Sequence, residues 1–267
     1  MKKKIALYSL FALILFTSCS KDSDINSNAN AKIDKAANLL ATGASANDIL
    51  ANTEFDELLI EIGYVSGFQP NATAIATFEE FIRETTFKQN ITFTYKQLPS
   101  PNEETLTLQE VVDLEKKNRT AYNNGTTLAL YIYFADAPTE SDDESEDTVT
   151  LGAVYQNTSM VIYEATIRDL VGNNSFVSVS DVEAATLNHE FGHLLGLVNL
   201  GTLPINEEHE DQNAKSHCTT EGCLMRAELQ FGRSMMKMMQ NKASKGLAPI
   251  PELDAECLLD LQSNGGR

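Results

Sequence analysis

The chain has 267 residues, 42% of them hydrophobic, which suits the core of one enzyme-sized domain with extra segments. Its formal net charge of −18 opposes binding to nucleic acid, whose phosphates it would repel. That charge says little about fold.

The N-terminus sets the compartment. MKKK supplies a positive start, IALYSLFALILF an apolar run, and TSC a short polar exit to Cys19. The apolar run is short for a transmembrane helix and reads as a signal peptide over residues 1–18. A cysteine after a small residue at the cleavage point resembles a bacterial lipobox, which implies lipidation of Cys19 and a membrane-anchored protein. With Ser20 next, the resemblance implies the outer membrane of a Gram-negative cell envelope. An ordinary secretory signal with an incidental cysteine is the plainer alternative. Residues 19–31, ending SKDSDINSNANA, are small and polar without an apolar period, and read as a flexible tether.

Two helical patterns follow. Ile33, Ala36, Ala37, Leu39 and Leu40 are closed by Gly43, and Ile49, Leu50, Phe55, Leu58 and Leu59 recur at helical spacing in ANDILANTEFDELLIEIGYV. Residues 32–71 are therefore expected to form an N-terminal helical segment. From residue 72 the pattern alternates. TAIATFEEFIRETTF and LTLQEVVDLEKKNRT read as helices, ITFTYKQL as an alternating strand and TLALYIYFA as a buried one. LGAVYQN and SMVIYEATI read as two further short strands. This order predicts an α+β or α/β domain over 72–267, with helices packed on a mixed sheet. The acidic run PTESDDESEDT lacks the glycine and spacing of a calcium loop and reads as a solvated turn.

The stretch HEFGHLLGLVN carries the chemistry. Ser180 and Glu183 fit a capping box, so a helix is expected to begin near Asp181. On that helix His189 and His193 are four residues apart and share a face, close enough to grip one ion. Glu190 sits at the edge of the same face. Neutral imidazoles suit zinc, and a catalytic zinc with three protein ligands lowers its bound water to a pKa of about 7. A neighbouring glutamate can then take the proton as the water attacks a carbonyl. All four histidines of the chain, His189, His193, His209 and His217, lie between positions 189 and 217, which argues for a metal site.

Gly196 after the helix suits a left-handed cap and a sharp turn. A glutamate ligand from a later helix, Glu221 or Glu228, is less natural after such a turn but would make the protein a thermolysin-type peptidase. The helix and glycine resemble the metzincin clan, whose pattern is HExxHxxGxxH followed by a methionine turn. Asn199 departs from it. Downstream, SHCTTEGCLM resembles the archaemetzincin pattern, in which the third zinc histidine precedes a cysteine and C-x4-C-x-M follows. The resemblance implies His217 as third ligand, residues 199–216 as an insertion, Met225 as the methionine-turn residue, and Glu190 as general base. It also implies a metzincin-like mixed twisted sheet and a protein or peptide substrate laid along a sheet edge, the edge strand being one of the short ones at 150–165. His209, in EEHED, is the rival third ligand, and Asn199 a neutral oxygen ligand the next alternative. A non-catalytic surface lipoprotein with a structural zinc stays open as the alternative to a metalloendopeptidase.

Archaemetzincins hold a second zinc on four cysteines. Cys218 and Cys223 match the first two and Cys257 the last, but Asp254 stands where the remaining cysteine would be. Three thiolates with a carboxylate could bind zinc. In an exported protein a disulfide among Cys218, Cys223 and Cys257 is the favoured expectation, and simple burial of Cys257 is a third. The methionines of FGRSMMKMMQNK read as helix core or a contact face.

Overall fold

The computed structural model describes residues 35–142, 149–172, 176–227 and 232–267. At its centre is a five-stranded sheet in the order β2-β1-β3-β5-β4, with β1 Glu57–Val65, β2 Asn90–Leu98, β3 Thr127–Phe134, β4 Gly152–Gln156 and β5 Ser159–Ile162. β1 pairs in parallel with β2 and β3, and β3 with β5, while β4 runs antiparallel to β5 at the edge. The fold is thus a mixed α/β one with a mostly parallel sheet. The interior strand β3 is buried along nearly its whole length, as a strand covered on both faces must be.

α2 (Ala72–Thr85) links β1 to β2, and α3 (Leu108–Asn118) links β2 to β3. Both start where side-chain caps satisfy the first amides. Asn71 accepts from the Thr73 N–H, and Thr107 and Glu110 form a capping box. α5 (Val179–Leu194) packs on the α2 side, where Phe78 and Phe191 meet edge to face at 5.3 Å between ring centroids. One core of Ile60, Ile62, Phe78, Leu130, Ile132 and Phe191 lies there. A second, around Val111, Tyr131 and Tyr133, includes residues of α3. Beside it Arg119, almost fully buried, pairs with Glu115 at 2.7 Å and donates to the Ala129 carbonyl at 2.8 Å.

Residues 32–71 are not a helical segment. Within it the described chain has a 3-10 turn at Ala36–Asn38, the short helix α1 (Ala46–Leu50), and then β1 at the middle of the sheet. No domain boundary falls at 71, because β1 pairs on both sides with strands beyond it. A strand buried on both faces carries a near-continuous apolar run, and LLIEI meets helical spacing by coincidence. Leu39 and Leu40, expected to pack, are 44% and 48% exposed. Asn38 fastens that turn instead, donating to the Ala129 carbonyl at 3.0 Å.

Two further boundaries shift. SMVIYEATI changes from strand to helix at Tyr163, where α4 (Glu164–Val171) begins. The capping box of α5 is Ser178 with Asp181, not Ser180 with Glu183. Glu183 is fully buried and accepts the Asn71 N–H at 2.9 and 3.1 Å, joining α5 to the start of α2. The methionines lie on α6 (Gly232–Ser244), with Met235 and Met239 fully buried as core. α7 (Ala255–Ser263) carries Cys257. The signal peptide, the tether, Cys19 and most of the acidic run lie outside the described residues. Among the described residues no helix is long and apolar enough to cross a membrane.

Candidate metal centre

α5 places His189 and His193 one turn apart, and their Nε2 atoms stand 3.2 Å from each other. His189 Nδ1 faces the Leu224 carbonyl at 2.7 Å, which sets Nδ1 as the protonated nitrogen and leaves a lone pair on Nε2. His217 reaches the same space from the loop after α5. Its ring stacks on His189 at 5.4 Å and stands perpendicular to His193 at 5.1 Å. His217 Nδ1 faces the Lys215 carbonyl at 2.8 Å, so it too presents Nε2. One ligand atom from each of the three histidines lies within 4.8 Å of the others.

The donor chemistry fits a cation. Burial, then the charge of His217, pushes His189 down to about 3, and burial with both neighbours holds His193 well below the usual histidine range. The imidazoles of these two are therefore neutral at any physiological pH, as ligands must be. His193 Nδ1 is buried with no hydrogen-bond partner among the described residues. Buried ring nitrogens gathered this closely, those of His189 and His217 oriented by backbone carbonyls, are costly to bury without an acceptor for their lone pairs. A divalent cation is such an acceptor.

Glycines shape the surroundings. Gly196, at φ +76°, ends α5 and returns its N–H to the His193 carbonyl at 3.1 Å. A Cβ at Gly192 would collide with Met225 Sδ, so Met225, fully buried, packs directly beneath the helix turn that carries the histidines. Met225 is bonded through its carbonyl to the Cys218 N–H at 2.7 Å.

Glu190 is 1% exposed, and burial raises its carboxyl to about 8 against a hydrogen bond from the Val154 backbone. Its Oε1 has no hydrogen-bond partner among the described residues. Val154 and Gly152 belong to β4, so the edge strand lies alongside this carboxylate.

His209 lies in a different cluster. Its Nε2 is 3.1 Å from Cys218 Sγ and 3.5 Å from Cys257 Sγ, and its Nδ1 is 3.2 Å from Asp260 Oδ2. Cys223 Sγ is 3.6 Å from Cys257 Sγ. The favoured disulfide is absent: all three cysteines are buried free thiols. The hydrogen bond to Cys218 raises His209 to about 9 despite its burial, with Asp254 and Asp260 adding to the effect. Hydrogen bonds with Cys218 and Cys257 pull Cys223 down, and those with Cys218 and Cys223 push Cys257 up. His209, Cys218, Asp254 and Cys257 present ligand atoms within 4.8 Å of one another. Asp254 also caps α7, accepting the Cys257 N–H at 2.7 Å. Sequence spacing gave no sign that His209 joins the cysteines, since Cys257 and Asp260 lie some fifty positions away and only folding unites them.

Asn199 is in neither cluster. Its amide donates to Glu210 Oε2 at 3.0 Å. Glu221 is exposed and also outside both, and Glu228 lies outside the described residues.

No protein-family model matches the chain, and no curated protein is found similar to it. Among solved structures the chain is similar to the crystal structure of archaemetzincin from Methanopyrus kandleri, with 16% identity and a TM-score of 0.47 over 79% of this chain and 95% of that one. It is also similar to metalloproteinase-II from Bacteroides fragilis, with 14% identity and a TM-score of 0.42 over 80% of this chain and 55% of that one.

Proposed function

We propose that the protein is a zinc-dependent metalloendopeptidase in which His189, His193 and His217 hold the ion and Glu190 is the general base. The observation that carries this reading is the convergence of three buried imidazoles next to a buried carboxyl whose Oε1 has no hydrogen-bond partner among the described residues. Zinc held there would supply a water of lowered pKa and polarise the scissile carbonyl. Glu190 would be the residue that holds and moves a proton at Oε1, from the attacking water to the leaving amine. The exposed edge of β4, beside Glu190, offers backbone groups to an extended peptide substrate.

His209, Cys218 and Cys257, with Cys223 or Asp254 as the fourth donor, are proposed to hold a second, structural zinc. The contact of His209 Nδ1 with Asp260 is the kind of support that metal-bound histidines receive. Attachment to the outer membrane through lipidated Cys19 is proposed on the N-terminal sequence.

The test is hydrolysis of an unfolded protein. Activity should vanish with a chelator, return with zinc, and be absent in Glu190→Ala that still binds zinc. One observation favours a second reading, a surface lipoprotein whose zinc is only structural. His189, Glu190, His193 and His217 are all buried, none more than 7% exposed. Wild type that binds zinc at His217 yet cleaves nothing would select that reading.

A further inference from the structure

The position where a third histidine would complete HExxHxxGxxH holds Asn199, and its side chain leads to the loop that delivers His217. Asn199 Nδ2 donates to Glu210 Oε2 at 3.0 Å, and Glu210 Oε1 accepts the Ser216 N–H at 2.9 Å. Glu210 is 7% exposed, whereas Asn199 is exposed and Ser216 half-buried, so both bonds are partly shielded from water. Its Oε2 also lies 3.6 Å from Lys215 Nζ. One carboxylate thus ties the turn after α5 to Lys215 and Ser216, the two residues just before His217. Those two matter to the ring itself, because the Lys215 carbonyl is the partner of His217 Nδ1.

The rest of the loop agrees. Glu210 and Cys218 form an antiparallel bridge, and the Asp211 N–H donates to the His217 carbonyl at 2.8 Å. Val198, Asn199 and Ser216 all have left-handed backbones, at φ +52°, +64° and +63°. Such conformations cost non-glycine residues energy and persist where surrounding bonds over-determine them. For Asn199 and Ser216 those bonds run to Glu210.

We propose that Asn199 and Glu210 are positioning residues for His217: the side chain at the vacated ligand position latches the loop that carries the substitute ligand. The proposal rests on the reading of His189, His193 and His217 as a zinc site and adds to it the residues that set its affinity. Neither residue touches the ion; both act through Ser216 and Lys215.

The experiment measures zinc affinity by chelator competition on the full-length protein, with thermal unfolding of the zinc-free form beside it. Loss of outer support of this kind weakens metal binding about 10–100-fold. Glu210→Ala is expected to fall in that range and Asn199→Ala nearer its lower end. The double variant should be no weaker than Glu210→Ala alone, since both break one connection. Asn199→Asp sets two carboxylates against each other and should weaken binding. Adding Glu210→Gln to it restores the pair with the donor reversed, and affinity should recover. A purely structural role would lower the unfolding temperature of the zinc-free form without this recovery. Affinities of Glu210→Ala and Asn199→Asp within threefold of wild type, while His217→Ala loses the site, would overturn the latch and leave the metal centre standing. Zinc binding unchanged in His217→Ala would overturn both together.

Discussion

Gly152 of the edge strand lies flat against Glu190 of the central helix. A Cβ at position 152 would sit 2.7 Å from Glu190 Cγ and 3.0 Å from its Oε1, with Thr186 Cγ2 at 2.9 Å. The missing side chain is what gives the carboxyl its place. Gly152→Ala should therefore displace Glu190 while leaving the histidines alone. A displacement of about 1 Å can cost about 100-fold in rate. The expected outcome is a fall in kcat of that order with zinc content unchanged, read by steady-state kinetics and elemental analysis. An unchanged kcat would show that the carboxyl has room to spare.

Asn199 points to Glu210, so completing HExxHxxGxxH at this position should not restore the site. Asn199→His placed in a His217→Ala background is expected to leave zinc binding as weak as His217→Ala alone. Recovery of tight binding would mean that the turn after Gly196 can swing position 199 toward the ion.

Buried carboxyls of α4 and α5 give stability a pH dependence. Burial, then the charge of Glu164, raises Glu183 to about 9, and burial raises Glu164 to about 7 against its contact with Arg168. The unfolded chain releases these protons near the ordinary glutamate range of about 4.3, whereas the folded chain keeps them. Between those values the folded state binds more protons, so stability is greatest on the acid side and falls as pH rises. The fall is at most about 1.4 kcal/mol per pH unit for each group. It ends for Glu164 once pH passes about 7 and for Glu183 once it passes about 9. Glu183→Gln keeps an oxygen for the Asn71 N–H and removes the ionisation. Denaturant melts should show it gaining on wild type from pH 5 to pH 8; parallel curves would contradict the assignment.

The thiol cluster predicts both a thiol count and a metal count. Cys218, Cys223 and Cys257 should all react with a thiol reagent in zinc-free denatured protein without reductant. Two zinc ions per chain are expected, falling to one in Cys257→Ser and in His209→Ala. The zinc lost should be the one away from His189. Because Cys218 adjoins His217 and the Met225 carbonyl takes the Cys218 N–H, Cys257→Ser should also lower the melting temperature. A single zinc in wild type, or a disulfide on mass analysis, would count against the second site.

Elements with a local signal are legible in the residues alone. The helix bearing His189, Glu190 and His193 follows from four-residue spacing, and Gly196 as its stop follows from the freedom of a residue without a Cβ. The strands ITFTYKQL and TLALYIYFA were equally legible, since alternation and a buried apolar run are properties of short segments. The resemblance of SHCTTEGCLM to the archaemetzincin pattern implied His217 over its rival His209, and the fold brings His217 to the two helix histidines. Tertiary structure decided what depends on distant neighbours. β1 looked helical because nothing local reveals that it will be covered on both faces. His209 went to the cysteines because Asp260 and Cys257 of α7 receive it. Glu183 gave up its expected capping role to bond the Asn71 N–H across the interface between α5 and α2. Nor does the spacing of HEFGHLLGLVN reveal that Asn199 grips a carboxylate eleven positions on. Hydrogen bonds and metal ligands are chosen by proximity in space, and only the packed chain defines that.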